Sequence, residues 1–443
     1  MDGAARTFCW LLCALLFAPR AGDPMRFARA EDGTLATAPT APTAPTAPPA
    51  RATPVAWAFR NARWFDGLHF VAGDRFAVDG YFVATEPAHL DRTLDLNGAY
   101  VVPPFGEAHN HNLDNPADAD RTIAAYLHDG IFYMKNPTDV AEQVALLRDK
   151  INRRDSVDAV YAHAGITATD GHPARIFDFV ARRADSPYPG GYKDHAYVCV
   201  DSEQDLARVW PRLMRDHPDF IKIFLVYTES FAKRRDDPGY RGAKGLDPAL
   251  VPVVVARAHQ AGLRVTAHIE TAADFRVAVQ GGVDELAHLP GYTLGMYGLE
   301  RFQLTAEDAR LAASRGVTVV TTTGIAQNDP GNRLQLIREN QVANLRLLHD
   351  AGVHLAVGSD DYVHTALAEA RNLADLHAFD NVTLLRIWTE DTAQAIFPGR
   401  RIGRLEPGYE ASFLALAADP IENFEAVTQI RVRVKQGLLL PPF

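Results

Sequence analysis

Two histidines separated by one residue, His109 and His111, are the first candidates for chemistry in this sequence. Residues i and i+2 of an extended segment share a face, so both imidazoles can reach one point. Other polar residues lie within or just after apolar runs further along the chain, namely Lys222, His268, His288 and Asp360. Imidazole nitrogens and carboxylate oxygens are the ligands that zinc prefers. This set predicts a metal centre, provided that the fold brings the segments together.

The apolar segments around these residues alternate with amphipathic ones. Strand-like runs lie at 100–102, 131–134, 159–162, 220–224, 264–267, 285–287, 317–320 and 355–357. Amphipathic stretches such as 140–151, 250–261 and 342–351 lie between them, and Gly262, Gly316 and Gly352 are placed to end helices. Eight strands alternating with helices predict an α/β fold, a (β/α)8 TIM barrel over residues 104–395, with 100–102 as the strand that leads into it. Each candidate ligand would then lie at the C-terminal face, where barrel active sites are built.

The two flanking regions have a different pattern. Asp-Gly pairs at 66–67 and 79–80 separate short apolar runs and predict hairpins. Residues 396–443 contain similar short runs, at 412–416 and 431–434. We therefore expect residues 55–103 and 396–443 to form one small composite β-sandwich beside the barrel.

The first 54 residues predict an exported protein. An apolar run of eleven residues at 8–18 has the length of a signal-peptide core, so residues 1–30 are expected to be a signal peptide. The alternatives are an uncleaved anchor and a wrongly assigned start codon. Residues 31–54, rich in Ala, Pro and Thr, favour polyproline II and predict a linker. The mature protein is expected to be periplasmic or secreted, without stable membrane insertion.

Composition excludes several classes of protein. The chain has 443 residues, of which 47% are hydrophobic and 23% charged, as in globular proteins. With 45 Lys and Arg against 55 Asp and Glu, the formal charge is −10, which argues against a nucleic-acid partner. Three cysteines in this length exclude a disulfide scaffold.

Lys222 is an unusual residue for a buried strand. Its neighbours Ile221 and Ile223 are expected to face the helices, which directs Lys222 into the barrel. A protonated amine is costly there and cannot bind a cation. Burial favours the neutral amine, which carbon dioxide can convert to a carbamate whose two oxygens bridge two metal ions. The alternative is an unmodified lysine that pairs with Asp360 or extends to the barrel mouth.

Several motifs together resemble the amidohydrolase superfamily. The segment from Val102 to His111 is similar to that family's first-strand pattern, with Pro104-Phe105 where a glycine and a hydrophobic residue are commoner. Residues 165–173 resemble the third-strand loop of the imidazolonepropionase-like and prolidase-like branch, and 403–411 resemble a segment of its flanking β-sandwich. Ser412 stands where that segment usually has Asp.

The resemblance implies a metal-dependent hydrolase that cleaves a carbon–nitrogen bond in an amide, peptide or cyclic amide, including a dipeptidase-like activity. Two divalent cations, expected to be zinc, would activate a hydroxide, and Asp360 would shuttle the proton. The implied ligands are His109, His111, carbamylated Lys222, His268, His288 and Asp360. Three further side chains near strand ends are candidates for binding a small-molecule or dipeptide substrate: Tyr133, His172 and Tyr227.

Two alternatives stay open at this stage. One is a mononuclear deaminase or cyclic amidase of the same superfamily, with Lys222 unmodified. The other is a catalytically silent barrel that only binds a ligand. The metal content per chain distinguishes these hypotheses. About two equivalents are expected for the binuclear hydrolase, one for the mononuclear enzyme and none for the silent barrel. A homo-oligomer is compatible with the sequence.

Overall fold

The computed structural model describes residues 55–183, 186–292, 297–328 and 333–442. The predicted signal peptide and linker lie outside the described residues. In those ranges the strands are β1 Ala56–Phe65, β2 Phe70–Val78, β3 Tyr81–Val83, β4 Arg92–Asp95, β5 Tyr100–Val102, β6 Phe105–Glu107, β7 Ile131–Asn136, β8 Asp158–Tyr161, β9 Gly165–Thr167, β10 Tyr197–Cys199, β11 Ile221–Phe224, β12 Val265–His268, β13 Glu285–Ala287, β14 Thr318–Val320, β15 His354–Ala356, β16 Phe413–Leu416, β17 Ile430–Lys435 and β18 Leu438–Leu439.

Helices alternate with the parallel strands through the middle of the chain. The α-helices are α1 Ala119–His128, α2 Ala141–Ala145, α3 Ala174–Ala181, α4 Glu203–Arg215, α5 Phe231–Arg234, α6 Val251–Gln260, α7 Ala272–Gly281, α8 Ala306–Ser314, α9 Leu334–Asp350, α10 Ala366–Leu376, α11 Asn381–Arg386 and α12 Thr392–Ile396. None of the helices in the described ranges is long and apolar enough to cross a membrane.

The parallel strands form two sheets, in the orders β6-β7-β8 and β10-β9-β11-β12-β13-β14-β15. Backbone hydrogen bonds join them at both sides. The Ala108 amide donates to the Val357 carbonyl at 2.9 Å, and the Asp219 amide donates to the Tyr161 carbonyl at 2.8 Å. The fold is thus of the parallel α/β type, and this arrangement is consistent with the predicted (β/α)8 barrel.

The prediction that residues 100–102 form a strand of the barrel was wrong. Residues 100–102 form β5, which pairs with β1 and β16 of the terminal sheet, whereas β6 is the first strand of the parallel layer. Pro103 and Pro104 separate the two strands, because proline has no N–H to continue a ladder.

The glycines that were predicted to end helices do so in the structure, whereas one predicted helix is much shorter than expected. Gly262, Gly316 and Gly352 lie just beyond α6, α8 and α9 with φ of +75°, +64° and +82°, the left-handed conformation that glycine adopts without steric cost. Residues 140–151 were expected to be one helix, but only Ala141–Ala145 is helical and turns follow. Tertiary packing overrides a weak amphipathic pattern in such short segments.

Strands from both flanking regions form a single eight-stranded sheet, in the order β18-β17-β16-β5-β1-β2-β3, with β4 also paired to β1. Trp57, Phe59, Trp64, Phe82 and Phe413 belong to a separate buried cluster in this sheet. The sheet thus has an apolar core of its own, although its predicted status as a separate sandwich domain stays a prediction.

Buried charges connect this sheet to the parallel strands. Lys435 in β17 is fully buried, and its amine donates to Asp158 in β8 at 2.6 Å. Arg400 donates to the other oxygen of Asp158 at 2.8 Å and also pairs with Glu410. Removing Asp158 would leave buried cations short of a partner, which is strongly unfavourable.

Candidate metal centre

Three of the predicted ligands converge directly. Nitrogen or oxygen atoms of His109, His288 and Asp360 all lie within 4.8 Å of one another. The Oδ1 atom of Asp360 is 3.7 Å from His109 Nε2 and 3.5 Å from His111 Nε2. The Asp360 amide also donates to the His109 carbonyl at 2.7 Å, which fixes the end of the β15 segment against the end of β6. This bond holds His109 and Asp360 side by side, although they are 251 positions apart in the sequence.

The remaining histidine rings pack around this group. The rings of His109 and His288 are 4.8 Å apart between centroids, and those of His268 and His288 are 4.7 Å apart. Nδ1 of His111 lies 3.1 Å from the Thr138 carbonyl oxygen, and Nδ1 of His288 lies 2.9 Å from Thr322 Oγ1. Such contacts orient an imidazole and leave Nε2 available to a metal.

Backbone strain is concentrated at these strand ends. His288, Thr322 and Asp360 have φ of +90°, +44° and +48°. Residues other than glycine rarely adopt positive φ angles, and a β-branched residue such as Thr322 adopts them least easily. Strain of this kind persists where the surrounding structure enforces it, most often at functional sites.

Lys222 lies in β11 as expected and is 1% exposed. Burial lowers the pKa of its amine to about 7, although the charges of Asp360 and Glu285 act in the opposite direction. Among the described residues no carboxylate lies within ion-pair distance of this amine. The alternative in which Lys222 pairs with Asp360 is therefore not what the structure contains.

Burial keeps the four histidines neutral. It lowers the pKa of His109, His268 and His288 well below the usual value and that of His111 to about 4, and the charge of Lys222 contributes in each case. Neutral imidazole is the form that binds metals. Burial also raises the pKa of Asp360 to about 7, while Lys222 opposes this shift.

Two buried atoms in this cluster lack hydrogen-bond partners among the described residues, His109 Nδ1 and Asp360 Oδ1. Buried polar atoms are almost always satisfied in native proteins, by protein groups, water or an ion. Together with the neutral imidazoles, the orphaned Asp360 oxygen between two Nε2 atoms fits a divalent cation. The residues present therefore suit the metal that the sequence predicts.

The adjacent acid, Asp361, makes hydrogen bonds to the loop that follows it and not to the histidine cluster. Its Oδ1 accepts the amides of Val363 and His364 at 2.9 and 3.0 Å, and its Oδ2 lies 2.8 Å from His364 Nδ1. Asp361 thus caps the following loop, while Asp360 faces the histidines.

The three predicted substrate-binding residues are placed differently. His172 stacks on His268 with ring centroids 4.3 Å apart, so it borders the cluster. Tyr227 follows β11 and adopts φ of +54°, and its ring packs 4.9 Å from that of Tyr297. The structure does not bring Tyr133 to the histidine cluster, since its ring packs against Phe397 and beneath Arg400. It lies within β7, opposite Asp158, below the mouth.

Sequence reasoning missed two acids beside the cluster. Glu270 is two residues beyond His268, and its Oε1 lies 3.3 Å from His268 Nε2 and accepts the Tyr292 hydroxyl at 2.9 Å. Glu107 is fully buried and accepts both the amide and the hydroxyl of Ser359 at 2.8 Å. Their proximity to histidines in the sequence was the available signal, but only the fold shows where the carboxylates point.

Comparison with known proteins agrees with this architecture. Residues 236–438 match the model of the amidohydrolase family. Among solved structures, A. niger ochratoxinase is 17% identical and aligns over 88% of this chain and 96% of its own, with a TM-score of 0.68. A Xaa-Pro dipeptidase with bound methionine is 17% identical over 87% of this chain and 99% of its own, with a TM-score of 0.67. Molinate hydrolase is 13% identical over 88% and 95%, with a TM-score of 0.67.

No curated protein matches the sequence. The fold and the histidine–aspartate cluster agree with the match to the amidohydrolase family, which spans residues 236–438. The resemblance found in the motifs is thus confirmed over that region, and the structural neighbours include prolidase-like hydrolases.

Proposed function

We propose that this protein is an exported, metal-dependent amidohydrolase that cleaves an amide or peptide bond in a small molecule, such as a dipeptide or an N-acyl amino acid. The observation that carries the proposal is the convergence of His109, His288 and Asp360 within 4.8 Å, with three further candidate ligands around them. The parallel strands would close into a (β/α)8 barrel around this centre, and the protein is expected to work as a soluble or homo-oligomeric enzyme outside the cytoplasm.

The candidate ligands divide into two groups by position. His109, His111 and Asp360 would hold the more buried cation, and His268 and His288 the outer one, with carbamylated Lys222 between them. Bound zinc or a similar divalent cation supplies an activated water and polarises a carbonyl.

The residues of the chain supply the proton transfer and the orientation of the substrate. Asp360 takes a proton from the attacking water and returns it to the leaving nitrogen, which is general base and then general acid catalysis. His172, which stacks on His268, is expected to donate a hydrogen bond to the substrate.

A metal assay combined with a substrate panel tests the proposal. The purified chain, loaded with zinc, is expected to contain about two equivalents of metal and to hydrolyse some members of a panel of dipeptides, N-acyl amino acids and lactams. Loss of turnover on chelation and recovery on adding metal would support it. A metal-loaded protein that hydrolyses none of these compounds would contradict it.

One observation favours a mononuclear enzyme of the same superfamily, a deaminase or cyclic amidase. Only His109, His288 and Asp360 form a group of single-ion size within the described ranges. In that case one equivalent of metal and an unmodified Lys222 are expected, and mass spectrometry of the native protein distinguishes a carbamate from a free amine.

A further inference from the structure

A cavity of about 610 Å³ lies at the end of the parallel strands opposite the metal cluster. Its walls come from the β1–β2 hairpin, the start of β15, the helical segment 386–391 and the loop 403–406. Asp360 lies beyond the other end of β15, so the cavity and the metal centre are separate sites. The volume falls within the range of pockets that bind small molecules, about 300–1,000 Å³.

A π-helix forms one wall of this cavity. Ile387–Asp391 connects α11 to α12, and the Thr392 amide donates to the carbonyl of Ile387, five residues back. Such helices are rare and occur frequently at functional sites. Because a π-turn contains more residues than an α-turn, Arg386 and Asp391 lie on nearly the same side of it, and both line the cavity.

Arg386 and Asp391 direct opposite charges into the cavity without pairing with each other. Both are half-buried, and among the described residues neither side chain has a hydrogen bond or an ion pair. Burial raises the pKa of Asp391 to about 6, with the charge of Glu390 acting in the same direction and that of Arg386 in the opposite one. Partly buried charges without partners cost free energy, which a ligand of complementary charge would recover.

The other acids and arginines that line the cavity are already paired or exposed. Arg404 forms an ion pair with Glu390, and Asp66 accepts two backbone amides of its own turn at 2.9 and 2.8 Å. Arg75 donates to a backbone carbonyl at 3.1 Å, and Glu406 is exposed. The two charges beside the π-helix are therefore the ones left for a ligand.

Hydrogen bonds to the parallel strands hold the π-helix in place. Trp388 Nε1 donates to the Gly106 carbonyl of β6 at 2.9 Å. The Thr392 hydroxyl accepts the Val357 amide, just beyond β15, also at 2.9 Å. A site whose wall is fixed before binding loses less conformational entropy when a ligand enters.

We propose that this cavity binds a free α-amino acid with an apolar side chain, its carboxylate against Arg386 and its ammonium group against Asp391. An α-amino acid carries the two charges close together, so it can bridge two side chains that are neighbours without being in contact. A guanidinium edge matches a carboxylate, and charged partners give the stronger hydrogen bonds. Phe65, Leu68 and Leu405 also line the cavity, and Leu68 is 56% exposed, so the apolar side chain of the ligand has a surface to cover.

Three ligands that differ in charge test the site. L-Leucine carries both charges, L-leucinamide only the cation and 4-methylpentanoate only the anion. Calorimetric titration of the metal-loaded wild type at neutral pH should show binding of L-leucine. Either analogue should bind at least about tenfold more weakly, as expected for the loss of one hydrogen-bonded charge.

Two pairs of variants locate the binding. Arg386→Gln and Asp391→Asn should each weaken L-leucine by at least about tenfold. The matched controls are Arg121→Gln and Asp120→Asn, since both residues are exposed on α1 and neither lines the cavity. These controls should bind L-leucine as the wild type does.

Several results would overturn the site. Absence of L-leucine binding at millimolar concentrations contradicts it, and so does equally tight binding of either analogue. Binding that survives Arg386→Gln or Asp391→Asn places the amino acid elsewhere, such as at the metal centre, and refutes the assignment. If Arg386→Gln does not fold, Asp391→Asn decides alone, because removing an unpaired, partly buried carboxylate should not destabilise the chain. Absence of turnover on every substrate would refute the proposed reaction and leave this site standing.

Discussion

Replacing Asp360 by asparagine tests whether this carboxylate handles the proton. The substitution keeps the size of the side chain and one oxygen, so the amide of residue 360 can still donate to the His109 carbonyl. What it removes is the ability to take and return a proton and the negative charge that faces His109 and His111 at 3.7 and 3.5 Å. We expect the fold to persist and turnover to collapse.

The magnitude follows from the kind of catalysis removed. General acid–base help contributes about 10²- to 10⁴-fold, or roughly 3–5 kcal/mol of transition-state stabilisation at about 1.4 kcal/mol per tenfold. The orphaned Oδ1 atom of Asp360 also suggests a lost metal contact, so we expect kcat to fall by at least about a hundredfold. The unfolding midpoint should change little or rise, since burial of the ionised carboxyl is unfavourable.

The adjacent residue provides a matched control. Asp361→Asn keeps an oxygen for the amides of Val363 and His364 and weakens only an exposed pair with the His364 ring, worth under about 1 kcal/mol. Its kcat should stay within a few-fold of the wild type. Steady-state kinetics on the best substrate, with metal content measured on the same samples, decides the matter. An inactive Asp361→Asn beside a nearly normal Asp360→Asn would refute the reasoning.

Four further predictions concern the metals and the fold. Lys222→Ala should lose bound metal and nearly all turnover, with partial rescue by short carboxylic acids and bicarbonate; full metal occupancy and normal rates in this variant would rule out the bridge. Chelation should abolish activity while circular dichroism stays unchanged, since apolar packing and backbone pairing hold the parallel strands together. Asp158→Asn should lower the free energy of unfolding by roughly 3–5 kcal/mol in urea titrations, because Lys435 loses its buried partner; a change under about 1 kcal/mol would show that the pair is dispensable. Burial raises the pKa of Asp391 to about 6, so its proton is lost at higher pH in the folded than in the unfolded chain and stability should fall as pH rises from about 4 to 6. Asp391→Asn should therefore gain up to roughly 3 kcal/mol at pH 7 and nothing at pH 4, whereas the exposed Asp350→Asn should show no such difference, and equal gains at both pH values would contradict the assignment.

The sequence alone determined the alternation of elements and the identity of the candidate ligands. Gly262, Gly316 and Gly352 marked helix ends because a left-handed backbone is a local requirement that glycine meets most easily. Thr305 precedes α8 for an equally local reason, since its hydroxyl accepts the Asp308 amide within the same turn. His109, His111 and Asp360 could be singled out because each follows a strand-like run, and strand ends of a parallel fold lie at one face.

Tertiary structure alone decided where side chains point and which strand belongs to which sheet. Residues 100–102 have the composition of a barrel strand, yet they pair with β1 and β16, because pairing over long sequence separations has no local signal. Tyr133 and Lys222 both lie in buried strands, and their sequence context does not tell them apart. Only the packed fold places Tyr133 beneath Arg400 and places Lys222 where the charge of Asp360 acts on its amine. Glu270 and Glu107 were not recognised at all, since the direction in which each carboxylate points depends on neighbours that only folding creates.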